Sequence, residues 1–221
     1  MAGFVGNAGM QYTDDLTETE DGLEATFTVN VLANHLLLRL LGDRFAVPSR
    51  IVITVSDTHF GDLRHNLGMV PGPVWHSPDM LARPGAFADP ASTRAGRRAY
   101  STSKLATIHL VHEYARRLPA GVEILSYNPG FVPGTDLTRN AGPLTRFAVR
   151  RIAPLFTVTP LATDAETAGA RLAAVATGEL EAATGSYVDR DRVADSSPAS
   201  YDPGRERELW DCLEGLVAHP S

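Results

Sequence analysis

Ile51-Val52-Ile53-Thr54-Val55 sets five β-branched residues in a row with no polar alternation. Such side chains are stiff at χ1 and suit a pleated surface. A strand with one face in water alternates apolar and polar residues. This run does not, so both of its faces are to be buried, as in a parallel sheet covered by helices. Val122-Glu123-Ile124-Leu125-Ser126-Tyr127 is a second strand, and Gly3-Phe4-Val5-Gly6 and Ser186-Tyr187-Val188 are shorter ones. Helical spacing lies between them. Leu23, Phe27, Val31, Leu38 and Leu41 mark a long helix over 23–45, and Leu105, Ile108, Val111, Ala115 and Leu118 mark one that opens at Tyr100. Residues 164–176 form a helix with an acidic start, and 205–217 a terminal helix. The alternation predicts α/β architecture with a mainly parallel sheet and flanking helices.

The chain has 221 residues, which suits one domain spanning 1–221. Its formal net charge of −6 argues against a nucleic-acid binder, and the short basic run Arg94, Arg97, Arg98 does not change that. The single cysteine, Cys212, fits a reducing compartment. The most apolar window, 29–41, is interrupted by Asn30, Asn34, His35 and Arg39, so no membrane span is expected, and a cytoplasmic location is. Residues 60–93 are rich in Pro and Gly and have no period. Because they carry Trp75 and Phe87, they read as a long substrate-side loop rather than as plain disorder.

Tyr100 and Lys104 are four residues apart and project from one helix face. A lysine ammonium near a phenol favours the phenolate, so the spacing predicts a lowered tyrosine pKa and a proton donor usable near neutrality. Alone, such a pair is as readily an ordinary surface pair. Ser56 closes the β-branched strand, at the end where open α/β sheets place ligands; as a simple strand cap it would do nothing. Asn30 stands beside an apolar helix stripe. His109 and His112 are at i, i+3, not the i, i+4 of a zinc helix, so no metal site is expected. Gly3, Gly6 and Gly9 are followed by no helix and are not read as a phosphate loop.

In order along the chain, Asn7-Ala8-Gly9, Asn30, Ser56, Tyr100 with Lys104, and Pro129-Gly130 resemble the motifs of the short-chain dehydrogenases/reductases. RIVITVSDTH, RRAYSTSKLA and NPGFVPGT are similar to the protochlorophyllide-reductase-like and retinol-dehydrogenase-like branch. The resemblance covers essentially the whole chain. It implies a Rossmann-like fold and hydride transfer between a nicotinamide, NADP or NAD, and a carbonyl, alcohol or conjugated C=C. Asn30, Ser56, Tyr100 and Lys104 would be catalytic: Ser56 holding the substrate oxygen, Tyr100 donating the proton, Lys104 tuning it and binding ribose, and Asn30 holding a relay water. Asn7, Ala8, Gly9, Tyr100, Lys104, Pro129, Gly130, Val132 and Thr135 would contact the cofactor. A small-molecule substrate that is bulky and apolar, and a homo-oligomer, are the expected partners. The family's Gly-rich turn after its first strand is absent from these 221 residues, so the resemblance implies an N-terminally truncated fold and argues against a complete cofactor site. The competing expectation is a catalytically silent remnant that dimerises or scaffolds.

Overall fold

A computed structural model of the chain describes residues 1–66, 68, 70–132 and 163–218. One sheet carries five strands in chain order: β1 (Gly3–Gly6), β2 (Ser49–Thr54), β3 (Val122–Asn128), β4 (Tyr187–Asp189) and β5 (Arg192–Ala194). β1 to β4 run parallel, and β5 folds back antiparallel on β4. The hairpin to β5 has no signal in the sequence. Its strands are three residues long, and the chain reverses through Arg190 at φ 59°.

The β-branched run is buried on both sides, as its pattern requires. Ile51 and Ile53, with Ile124 of β3, face a core completed by Leu110, Leu209 and Leu213. Val52 and Leu125 face the opposite core with Val175 and Val188. β1 lies at the sheet edge, and its Val5 is 41% exposed.

Helix α1 covers residues 25–41 and is not regular. Ala25–Phe27 is α-helical, Thr28–Leu32 makes a π-turn, and Ala33–Leu41 returns to α. The π-turn is closed by the Ala33 N–H bonding the Thr28 carbonyl, one residue further back than in an α-helix. Glu24 caps the start, its two carboxylate oxygens accepting from the Thr26 and Phe27 N–H groups at 2.9 and 2.5 Å.

Helix α2 (Thr93–Arg117) begins seven residues before Tyr100, where the sequence reading had opened it. Ser92 caps it, its Oγ accepting from the Ala95 N–H at 3.2 Å. The three arginines in its first turns mask its start in the sequence, and the earlier start leaves Tyr100 inside the helix. Nor is α2 amphipathic in the surface sense. Ala99 to Val111 is buried without a break, because the sheet, α1, the C-terminal helix and the 60–93 segment enclose it. Buried hydroxyls are accommodated by bonding carbonyls: Ser101 to Pro71, Ser103 to Tyr100, Thr107 to Asn30 and Ser103.

Helix α3 (Ala165–Thr177) is capped by Asp164, and α4 (Pro203–Ala218) packs on α2. Segment 60–93 is not structureless: it forms short helical turns at Leu63–Asn66 and Pro78–Leu81 and puts Leu81 and Phe87 into the core. Residues 144–156, an apolar and basic segment whose sequence reads as a helix or two, and Thr135 lie outside the described residues. Among the described residues no helix is long and apolar enough to cross a membrane.

Candidate active site

The parallel strands β1, β2 and β3 end at the same edge of the sheet. Their C-terminal ends carry Asn7-Ala8-Gly9, Val55-Ser56 and Asn128-Pro129-Gly130. This edge is where the carboxyl ends of strands expose backbone and loops to a ligand. Thr54 Oγ1 donates to Asn7 Oδ1 at 2.8 Å, tying the first two ends together. Asn128 Oδ1 accepts from the Gly130 N–H at 3.1 Å, and Gly130 sits at φ 77°, a conformation suited to glycine.

Gly9, Asn30, Ser56, Tyr100 and Lys104 of the predicted residues meet here. The Tyr100 phenol lies close enough to the Ser56 side chain for the serine to pull its pKa down. Lys104 Nζ donates to the Thr54 carbonyl at 3.1 Å and lies 5.6 Å from the centre of the Tyr100 ring. A Cβ on Gly9 would stand 3.3 Å from Lys104 Nζ and 3.5 Å from Asn30 Oδ1, so the turn after β1 passes tightly over both.

Asn30 occupies the π-turn, which turns its amide across the helix axis toward α2. Its Nδ2 donates to the Met10 carbonyl and to Ser103 Oγ, both at 2.9 Å, and its Oδ1 accepts from the Met10 N–H at 2.8 Å. Its own carbonyl accepts from Asn34 and Thr107. Asn30 therefore clamps the turn after β1 onto α2.

The electrostatics correct one expectation. Burial pushes the Tyr100 phenol up to about 12, opposed by the Ser56 side chain and reinforced by the Asp57 charge. The lowered pKa read from the Tyr-x-x-x-Lys spacing does not arise. Lys104 is turned to a carbonyl instead of the phenol, and a fully enclosed phenolate is poorly solvated. Burial also lowers Lys104 to about 8. Asp57, next to Ser56, is raised to about 6 by burial, against the pull of Arg190.

Ala8 and Pro129 follow the ends of β1 and β3, and Val132 follows the β3 turn; Thr135 lies outside the described residues. The sequence reading missed His59. It is buried beside Tyr187, and it ties Ser56 to the segment before α4. Its only sequence signal was its place three residues after Ser56.

No family model matches the chain. It is similar to DnrU of Streptomyces sp. (strain C5), which is assigned daunorubicin C-13 ketoreduction (34% identity, covering 97% of this chain and 64% of the relative). It is also similar to human retinol dehydrogenase 14 (30%, 97% and 58%) and to chloroplastic protochlorophyllide reductase A of Oryza sativa subsp. japonica (30%, 91% and 56%). The chain thus spans about half to two thirds of the length of its curated relatives. Among solved structures, the fold resembles Thermoplasma acidophilum aldohexose dehydrogenase (TM-score 0.56, 17% identity, 90% of this chain and 71% of that one). It also resembles the angucycline C-6 ketoreductase LanV, solved with NADP (0.53, 17%, 86% and 61%).

Proposed function

We propose that this chain, a homologue of the short-chain dehydrogenase/reductase oxidoreductases with their Rossmann-like α/β fold, carries the catalytic residues of a nicotinamide-dependent carbonyl reductase for a bulky apolar substrate. The observation that carries this reading is the meeting of Ser56, Tyr100 and Lys104 at the C-terminal edge of the sheet, beneath the turn in which Gly9 passes close to Lys104.

The residues fit the nicotinamide end of such a cofactor. Gly9 leaves space beside Lys104, and an ammonium carries three donors, of which the Thr54 carbonyl takes one among the described residues. Lys104 would hold ribose hydroxyls, with the 128–132 turn alongside. When bound, the nicotinamide supplies the hydride. In this chain Tyr100 holds its proton at neutral pH, because its pKa lies near 12, and so is a donor to an oxygen gaining negative charge. Ser56 Oγ, near the Tyr100 phenol, would hold that oxygen in place. NADP rather than NAD is preferred by analogy with the relatives' branch. Residues 60–93 support a substrate-side role by packing on the first half of α2, where Val74 N–H donates to Thr102 Oγ1 at 3.2 Å.

The test is fluorescence titration of NADPH and NADH into the purified chain beside Tyr100→Phe, followed by NADPH oxidation with hydrophobic ketones. Saturable micromolar binding with turnover that Tyr100→Phe abolishes supports the reading. No binding up to millimolar cofactor removes it for this chain and favours the silent remnant.

A further inference from the structure

Ser56 is held loosely by its own side chain and firmly by its backbone. Its Oγ accepts from the Thr58 N–H at 3.3 Å and donates to Asp57 Oδ1 at 3.4 Å, both long bonds. Its carbonyl, by contrast, meets His59 Nδ1 at 2.5 Å. The other ring nitrogen, Nε2, is 3.1 Å from the Ser197 N–H. A backbone N–H can only donate, and a carbonyl can only accept, so the proton of the neutral ring must sit on Nδ1.

The imidazole cannot turn to another arrangement. It is buried, with Phe60 at 4.2 Å on one side and Tyr187 at 5.2 Å on another, measured between ring centres. Its far anchor is itself fixed. Ser196 Oγ and Ser200 Oγ lie 2.6 Å apart, Ser200 Oγ donates to the Ser197 carbonyl at 2.7 Å, and the Ser196 N–H donates to Tyr201 Oη at 3.1 Å. The turn at 196–201 leads directly into α4, which packs on α2, the helix that carries Tyr100. Serine and tyrosine are thereby referenced to one another through His59 and the C-terminal part of the chain.

We infer that His59 is a positioning residue for Ser56: the Nδ1–H bond to the Ser56 carbonyl sets the serine hydroxyl against the Tyr100 phenol, and the Ser197 bond fixes the tautomer that makes it possible. The kinetic consequence rests on the reductase reading above, whereas the positioning itself does not.

The readout that separates the two is the ¹³Cζ signal of Tyr100 at pH 7 in protein labelled at tyrosine, assigned with Tyr100→Phe. Ser56→Ala is expected to move this signal. His59→Phe, which keeps the ring volume and loses both bonds, is expected to move it by a similar amount and to add nothing in the Ser56→Ala background. Asparagine places an amide N–H where Nδ1 stands, so His59→Asn is expected to bring the signal back toward wild type. His59→Gln, which can only reach the Ser197 side, is not. If His59→Phe does not fold, the Asn and Gln pair decides: equal signals from both overturn the inference, as does a wild-type signal in a folded His59→Phe or no response to Ser56→Ala. In a chain that turns over, His59→Phe should lower kcat by roughly 10²-fold with KM little changed, and Asn should recover most of it. Should the chain show no turnover at all, the reductase reading fails and the tyrosine signal still judges His59.

Discussion

The two halves of helix α2 are buried alike and treat their polar groups in opposite ways. Around Tyr100 and Lys104 the groups are desolvated without a compensating charge, so the phenol is driven up to about 12 and the ammonium down to about 8. A small cavity beside them is lined by Ala99, Thr102 and Ser103 together with Glu24, whose carboxyl burial raises to about 7. In the second half, charge meets charge. Glu206 of α4 accepts from His112 at 2.9 Å and from Arg116, Glu113 takes Arg116 and Arg117, and Glu206 is held at about 2 although its burial opposes this. Unpaired burial keeps groups poised to exchange protons, whereas a closed ion-pair cluster holds its charge state and fastens α4 to α2. One helix thus carries the candidate chemistry at one end and stabilises the fold at the other.

The largest test of this contrast is Tyr100→Phe. Removing the proton donor should lower reductase turnover by roughly 10²–10⁴-fold while the circular dichroism melt stays close to wild type. Retained turnover would mean that this half of α2 is ordinary core. The reciprocal change is Glu206→Gln, which removes the charge that His112 and Arg116 share, leaving Arg116 to Glu113 alone. It should cost about 1.5–3 kcal/mol, seen as a melting temperature several degrees lower, with turnover per folded molecule unchanged. An unshifted melt would show that the cluster contributes nothing to stability.

Scanning pH sharpens the contrast further. Asp15 and Glu24 have folded pKa values of about 6 and about 7, above their ordinary 3.8 and 4.5. The folded chain therefore binds more protons than the unfolded one between about pH 4 and 7, and these groups add stability as pH falls through that window. Glu206 works the other way: its contribution is complete above about 4.5 and is lost as pH falls toward 2. Buried His35 and His59, lowered to about 4 from the ordinary 6.5, oppose the two carboxyls as pH falls below about 6.5. The limb of melting temperature between about pH 7.5 and 5 is therefore the balance of the two sets, and the curve drops at more acid pH. Glu24→Gln should lower the acid end of this limb relative to its alkaline end by on the order of 1–2 kcal/mol and leave the acid drop in place. If Glu24→Gln leaves that limb as it is in wild type, the carboxyl is not desolvated in the folded chain.

The smallest effect belongs to Lys104. Its folded pKa of about 8 lies below the ordinary 10.5, so the folded chain binds fewer protons between those values and stability rises with pH across them. Lys104→Met should lose this alkaline gain and change the melt at pH 7 by less than about 1 kcal/mol, while weakening NADPH binding in the fluorescence titration. A large loss of stability at pH 7 would show that the lysine holds the fold together and is not kept at a cost for its charge.

Much of the architecture was legible because it depends on local pattern. The run 51–55 announced a strand covered on both faces, and the 3.6-residue spacing found the helices. Their ends were less legible. α2 starts at Thr93 because Ser92 caps it, a signal hidden behind three arginines. The β4–β5 hairpin is too short to leave a period. Ser56, Tyr100, Lys104 and Asn30 were recognisable by type, order and strand-end position. What they do electrostatically was not, because the direction of the Tyr100 shift depends on enclosure by segments distant in sequence.

From sequence alone came the parallel sheet, which follows from periodicity and turn residues. The candidate site residues were picked out by their resemblance to the family's motifs in order along the chain. Only the tertiary structure decided that Lys104 addresses the Thr54 carbonyl instead of the phenol, that a π-turn lets Asn30 clamp the turn after β1, and that His59 reaches Ser197 from 138 positions away. Spacing determines which side chains share a face. Solvation and hydrogen-bond choice are set by whatever the rest of the chain packs against that face.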